Sequence, residues 1–346
     1  MNYAIYDQKG NKLAPLQNRT SVQWKPRYYE SGTCEIHARP TDENVKYLKK
    51  WNRVICIERN EIMFISSVSR TDDEIIIKGH MDNLDTMINR YTVTIKNVED
   101  GLREVLMRNG IRGLNVVTGV PKGFTHTIKG GMQTTYGTIR ETYEKVCKEF
   151  NLGWHEIVKG TSLNYLELYE GEIKQRARFS DAIGNVINQS YEEDMSKYKN
   201  VVCVAGEEKE DGTRTIVEVN MKQEGEPYLE LYVDARDIQS EYKDENGNDK
   251  TYTKEEYESL LRERGKAKLE ETRKDAFIYN FELNQDNAIS VLGKDYDLGD
   301  VVPVLSTKYN LQVYARITGI DFIEEGNEDT KIKLEVKLEE MKGVSL

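Results

Sequence analysis

Four histidines, four cysteines and one pair of adjacent glycines are the residues with which this chain could do chemistry. A zinc or hydrolytic centre would need His37, His80, His126 or His155 in a spacing such as H-E-x-x-H, or near a cysteine at metal-ligand separation. None is so placed. His155 follows Trp154 at the exit of a predicted helix, where a structural or surface role is expected. Cys34, Cys56, Cys147 and Cys203 lie far apart and form no C-x-x-C. They are expected as reduced, mostly buried thiols. Gly130-Gly131 reads as loop flexibility and not as a phosphate cradle, since no lysine follows in P-loop spacing. G-x-S-x-G is absent too, which removes the usual nucleophile elbow. With 60 Asp and Glu residues, some carboxylate pair will mimic a glycosidase dyad by abundance alone. The expectation is no catalytic, cofactor-binding or metal-binding residue, no cofactor, and no enzyme.

The 346 residues carry 49 Lys and Arg against 60 Asp and Glu, a net charge of −11. That balance argues against a general nucleic-acid binder, which needs a basic surface. It suits a protein that must not stick to DNA. No apolar run approaches the ~20 residues of a membrane span, so no membrane insertion by this chain is expected. The stretch Met1-Asn-Tyr-Ala-Ile-Tyr-Asp7 lacks a basic and then an apolar region, and no signal peptide is read there. Lys174-Gln-Arg-Ala-Arg178 is a small basic cluster in this acidic chain. It reads as a strand rim with local ion pairs, or as a docking patch for an acidic partner.

The elements that must position any site are mostly strands. Residues 51–58, 62–68 and 74–79 are short β-branched runs separated by polar turns, the pattern of an antiparallel meander. Adjacent Ile and Val predict strands buried on both faces, or strands whose outer face meets a partner. Residues 3–6 and 13–16 are further strands. In 33–39, Cys34, Ile36 and Ala38 alternate with polar residues. Thr41 can cap a short helix carrying Val45 and Leu48. Residues 1–95 thus form an N-terminal β-barrel-like module. An α/β middle segment, 96–160, follows, with a helix at 98–107, a short strand at 114–117, a long loop at 120–137 and an amphipathic helix at 138–150. Residues 161–240 form a β-rich domain with strands at 163–169, 201–205, 215–219 and 228–233 and a short helix at 182–189. Residues 241–276 hold an acidic loop and a connector helix, opened by the capping box Thr253-Lys-Glu-Glu256 and interrupted at Gly265. Residues 277–346 are a C-terminal β-barrel-like module with strands at 277–283, 301–305, 313–322 and 331–338. In the last, Ile332, Leu334, Val336 and Leu338 point inward.

The two ends echo one another. A polar turn feeds a short Val/Ile strand in both 48–57 and 296–304, and two further strands follow in each. The predicted fold class is therefore α+β, predominantly β, and multidomain, with two similar small β-barrel modules flanking an α+β middle. Two such modules per chain in a trimer would make a ring of six, which could match a six-fold partner.

Trp24…Arg27-Tyr-Tyr-Glu-Ser-Gly32-Thr-Cys-Glu-Ile36, Trp51-Asn-Arg-Val-Ile-Cys-Ile57, Met63-Phe-Ile-Ser-Ser-Val68, Lys78-Gly79 and Ile88-Asn-Arg90 resemble the start of a siphophage tail-hub protein. Phe179-Ser180, Gly184-Asn185-Val186, Asn200-Val-Val-Cys-Val-Ala-Gly206, Asp297-Leu-Gly-Asp300 and Ala315-Arg-Ile-Thr-Gly-Ile320 sit where that family has comparable segments. These are baseplate hub or tail-associated proteins of long non-contractile tails, common in prophages of Gram-positive bacteria. The resemblance implies tail-tube-like barrels and a homotrimeric hub at the distal end of the tail. It implies as partners the distal tail protein, the tail tube, the tape-measure protein and a tail fibre or receptor-binding protein, with DNA only as passing cargo. It implies a virion location at the tail tip, after assembly in the host cytoplasm. Many relatives carry a C-terminal lysin or receptor-binding extension, and with the sequence stopping at Leu346 both activities are expected to be lacking. Two other readings are a host-surface or carbohydrate-binding adhesin and a peptidoglycan hydrolase. The adhesin needs an aromatic platform, and the segment 120–137 offers Phe124 and Tyr136.

Overall fold

A computed structural model describes residues 1–110, 116–159, 164–209, 211–243, 248–274, 277–326 and 330–338. Strands β1 (Tyr3–Tyr6), β2 (Lys12–Pro15), β3 (Arg19–Lys25) and β4 (Thr33–Ala38) come first, then α1 (Asp42–Tyr47), β5 (Arg53–Cys56), β6 (Glu61–Arg70) and β7 (Ile75–His80). β5, β6 and β7 are the expected antiparallel meander. β5 is buried along its whole length, as adjacent Val54 and Ile55 predict. Cys34, Ile36 and Ala38 of β4 are buried. Thr41 caps α1 by accepting from the Asn44 amide. Leu48 is buried there, but Val45 is exposed. β3 goes unread in the sequence because only Val22 and Trp24 mark its inward face.

The middle of the chain contains β8 (Val93–Asn97), α2 (Val98–Gly110), β9 (Val116–Thr118), β10 (Thr127–Thr134), α3 (Ile139–Phe150), β11 (Gly153–Val158) and β12 (Asn164–Tyr169). Leu102, Val105 and Leu106 of α2 pack against Ile139, Tyr143 and Val146 of α3 in a second hydrophobic core. Thr138 and Glu141 form a capping box, and Asn151 in the left-handed conformation stops α3. The expected long loop 120–137 is corrected: β10 pairs antiparallel with β8. Its period of two is broken by a bulge between Thr127 and Met132, with Gly131 at φ +73°. Of the strand expected at 114–117, residues 114 and 115 lie outside the described residues, as does Leu163.

Next come β13 (Phe179–Ser180), β14 (Val186–Glu193), β15 (Val201–Glu208), β16 (Arg214–Asn220), β17 (Glu230–Asp234), β18 (Glu241–Lys243), β19 (Asp249–Thr251) and α4 (Lys254–Lys274). The helix expected at 182–189 is corrected to a turn and β14. Gly184 and Asn188 take positive φ there, and β14 finds its partner in the distant β20. Part of the acidic loop, 244–247, lies outside the described residues. α4 does more than connect. Its Tyr257, Leu261 and Leu269 cover Val202, Val204, Val217 and Val219 of β15 and β16, making a third core. Gly265 does not interrupt the helix. A Cβ there would sit 2.8 Å from Val204 and 3.0 Å from Val202, so glycine lets the helix approach the sheet. An exposed helical Gly→Ala change gains about 1 kcal/mol. Gly265→Ala is expected to lose about 1–3 kcal/mol by overpacking, read as a lower urea midpoint. A raised midpoint would show that the valines yield.

The chain closes with β20 (Phe277–Leu283), β21 (Val301–Ser306), β22 (Leu311–Glu325) and β23 (Lys331–Leu338). Leu334 and Val336 are buried as expected. The side chain of Leu338 lies outside the described residues. Strands predominate overall, and one 16-stranded sheet has the main path β14-β20-β23-β22-β3-β4-β7-β6-β11-β12-β9, with β1, β2, β5, β13 and β21 paired alongside it. The two terminal segments are not separate bodies. β22 pairs with β21 through its first half and with β3 through its last residues. Trp24, Ile36 and Met63 therefore share one core with Phe179, Phe281, Ile320 and Val336. The two ends also repeat one hairpin. Residues 57–60 turn between paired Cys56 and Glu61, and residues 307–310 between paired Ser306 and Leu311. Asn60 (φ 54°) and Asn310 (φ 50°) end these turns in the same left-handed conformation. Among the described residues no helix is long and apolar enough to cross a membrane.

Candidate functional site

A cleft opens where β6, β11, β12 and the turn before β21 converge. Its volume is about 620 Å³. Tyr28 builds the junction behind it. Fully buried, it donates to the Asn151 carbonyl at 2.8 Å and accepts from the Gly171 amide at 3.0 Å. The Arg316 guanidinium lies over its ring, 5.5 Å from the centroid, and donates to the Gly299 carbonyl at 2.8 Å. A Cβ on Gly171 would fall 1.8 Å from that same carbonyl, so only glycine lets these two backbones cross. Next door, the indole of Trp154 donates to the Tyr29 carbonyl at 2.9 Å. Two hydrophobic cores, one holding Tyr28 and Tyr29 and the other Trp154, thus meet around the stretch Arg27–Gly32.

Met81, Trp154, Tyr169 and Leu298 give the cleft an apolar component. Carboxylates dominate its charge: Glu30, Glu58, Glu167, Glu170, Glu172 and Asp297 all line it. Its cations already hold carboxylate partners. Arg27 pairs with Asp321 at 2.8 Å, Arg59 with Glu61 at 2.7 Å and Lys174 with Glu172 at 2.6 Å. Hydrogen bonds from His155 and then Lys159 hold Glu167 down to about 2. Glu156 is 2% exposed. Its Oε1 accepts from Asn164, while Oε2 has no hydrogen-bond partner among the described residues. Burial pushes its pKa up to about 8, and nearby Asp82 pushes the same way. Asp82 is itself satisfied, accepting from Arg140 at 3.0 Å and from Ser31. The sequence reading missed Glu156. The signal was there: it stands two residues from Trp154, on the inward face of a strand.

The histidines are dispersed. His37 lies between Glu35 at 2.9 Å and Glu74 at 3.0 Å. Burial opposes its charge, but the bonds to both carboxylates prevail and raise its pKa. His126 packs near Phe124 and Phe150, and His155 lies on Tyr169 in β11, not at a helix exit. His80 faces a different cavity. Among the described residues no three His, Cys, Asp or Glu gather as a metal site. All four cysteines are free, three of them buried, and burial raises the Cys56 thiol to about 12. Gly130-Gly131 belongs to the bulge of β10. Of the basic cluster 174–178, Lys174 makes a local ion pair with Glu172 beside the bridge of Ile173 to Val301. Phe124 packs against the second core, leaving Tyr136 as the exposed aromatic of that segment.

A family model described as Siphovirus ReqiPepy6 Gp37-like protein matches residues 2–336. The chain belongs to this siphovirus tail protein family. The Gp37-like fold is also that of solved prophage tail proteins. The crystal structure of the tail protein from Neisseria meningitidis MC58 superposes with a TM-score of 0.62 at 12% identity, covering 97% of each chain. The 43 kDa tail protein of prophage MuSo2 from Shewanella oneidensis gives 0.63 at 13% identity, covering 97% of this chain and 98% of that one. The prophage tail protein gp18 from Listeria monocytogenes EGD-e gives 0.56 at 10% identity, covering 97% and 94%. No curated protein matches the Gp37-like chain by sequence. At such identities the likeness speaks for the fold. The family assignment makes the chain a structural component of a phage tail, and hence of the virion.

Proposed function

We propose that this tail protein is a homotrimeric, non-enzymatic hub at the distal end of a siphophage tail. It would mate the six-fold tail tube to a three-fold tip. One observation carries the reading: the same hairpin occurs twice on one continuous sheet, with a four-residue turn ending in left-handed Asn60 or Asn310. Two like elements per chain are what a three-fold assembly needs to present six like elements. The partners are then the distal tail protein, the tail tube, the tape-measure protein and a tail fibre or receptor-binding protein. DNA is passing cargo, and a net charge of −11 discourages it from adhering to a channel wall. Assembly takes place in the host cytoplasm.

The test is a mass measurement in solution followed by low-resolution electron microscopy. The expected result is a species of three 40.0 kDa chains, seen as a ring with a central channel. A monomer at high protein concentration, with segments 51–80 and 301–338 that do not superpose, would overturn the proposal.

A further inference from the structure

We propose that the acidic cleft is a docking site for a lysine or arginine side chain presented by a segment of a protein partner. Two independent features of the site point to a cationic occupant. The rim carries Glu30, Glu58 and Glu170, all exposed, while Arg27, Arg59 and Lys174 already hold carboxylate partners. Below the rim lies Glu156, 2% exposed, with one oxygen unpartnered among the described residues. A buried, half-satisfied carboxyl is costly, and a donor entering from the cleft would complete it.

The occupant is a side chain more than a metal ion for two reasons. Among the described residues no three acidic, histidine or cysteine ligands converge. The cleft also offers Met81, Trp154, Tyr169 and Leu298, surface that suits the methylene stem of Lys or Arg and not a hydrated ion. The charged and polar groups around Glu156 are Asn164 on β12, Asp82 and Asn83 after β7, and Arg53 on β5. Arg53 donates to the Gln8 carbonyl at 2.9 Å, so the arginine has a bond of its own. Burial keeps Glu156 largely protonated near neutral pH. A cation reaching it would favour the carboxylate, and the proton would leave to solvent. Docking is therefore coupled to proton release and tightens as pH rises. This reading rests on the cleft alone and does not depend on the trimer.

The test is calorimetric titration of the full chain with a capped hexapeptide alternating lysine and glycine. It is run near pH 7 in two buffers of different ionisation enthalpy, so that released protons are counted. The expected result is one site per chain and about one proton released. Glu156→Gln is expected to weaken binding about tenfold and abolish the release. Because that position is buried, a second variant leaves it intact: Glu30→Gln, Glu58→Gln and Glu170→Gln together, expected to weaken binding at least about tenfold with release retained. Neutralising exposed Glu193, Glu255 and Glu270 should change affinity less than about twofold. Equal losses in the two triple variants would mean general attraction to an acidic surface and would overturn the proposal. So would binding without proton release, or calcium alone displacing the peptide from the cleft, which would make it a divalent-cation site.

Discussion

Trp24→Ala is expected to cost the chain about 4–5 kcal/mol and to melt both ends together. Trp24 is fully buried, and its strand is where the N-terminal and C-terminal meanders join. Its backbone stands opposite Cys34 on β4 and Phe322 on β22. The indole packs 5.4 Å from the Tyr3 ring and donates to Glu61 Oε2 at 2.6 Å. Truncation thus leaves a cavity and removes a donor from a carboxylate that is 7% exposed. Arg59 remains on the other oxygen of Glu61, which keeps the loss within the range for a large aromatic. Trp24→Phe separates the two contributions. It keeps most of the volume and should cost about 1.5–3 kcal/mol, the worth of a hydrogen bond to a charged group. Denaturant unfolding at fixed protein concentration measures both, with exchange protection of β5–β7 and β21–β23 reporting the two ends. If the N-terminal strands lose protection while the C-terminal ones keep it, the shared core is not a cooperative unit.

Glu156→Gln is expected to stabilise the protein in alkaline solution by up to about 4–5 kcal/mol, at 1.36 kcal/mol per pKa unit. The native carboxyl titrates near 8, against 4.5 when unburied. Raised above its unfolded value, it binds a proton in the native state that the unfolded chain has released. The stability it contributes is full below about 4.5 and is lost as pH rises through about 8. The two proteins should therefore match near pH 4 and diverge above it, reaching the full gap by pH 9. Parallel stability curves across that range would show that water or Arg53 already satisfies the ionised group. The same variant weakens peptide docking, so stability and binding should move in opposite directions. A variant that is merely misfolded cannot show that combination.

The sequence legible by itself was the sequence whose cues are local. The capping boxes at Thr138 and Thr253 satisfy a helix N-terminus within four residues. Asn151 ends α3 by its own backbone conformation. The meander at 53–80 shows itself through β-branched runs and polar turns. The order of such segments along the chain also carried the siphophage resemblance, which the family match over residues 2–336 bears out. Composition argued against a general nucleic-acid binder.

What needed the tertiary structure depends on partners far along the chain. β10 and β14 lack a readable period, because bulges at Gly131 and Asn188 interrupt them. They become strands only against β8 and β20. Gly265 looks like a helix breaker until β15 lies beneath it. Two separate terminal barrels were a fair reading of two similar meanders. Only the 15-residue β22, pairing with β21 at one end and β3 at the other, puts them in one sheet over one core. The chemistry-bearing residues the sequence opened on, its histidines and cysteines, turned out to have local structural surroundings. Among the described residues Glu156 is a buried carboxyl with an oxygen that has no hydrogen-bond partner. Its own sequence neighbours give it an inward face, but only the packing of β11 between two cores removes its water and leaves one oxygen unpaired among the described residues.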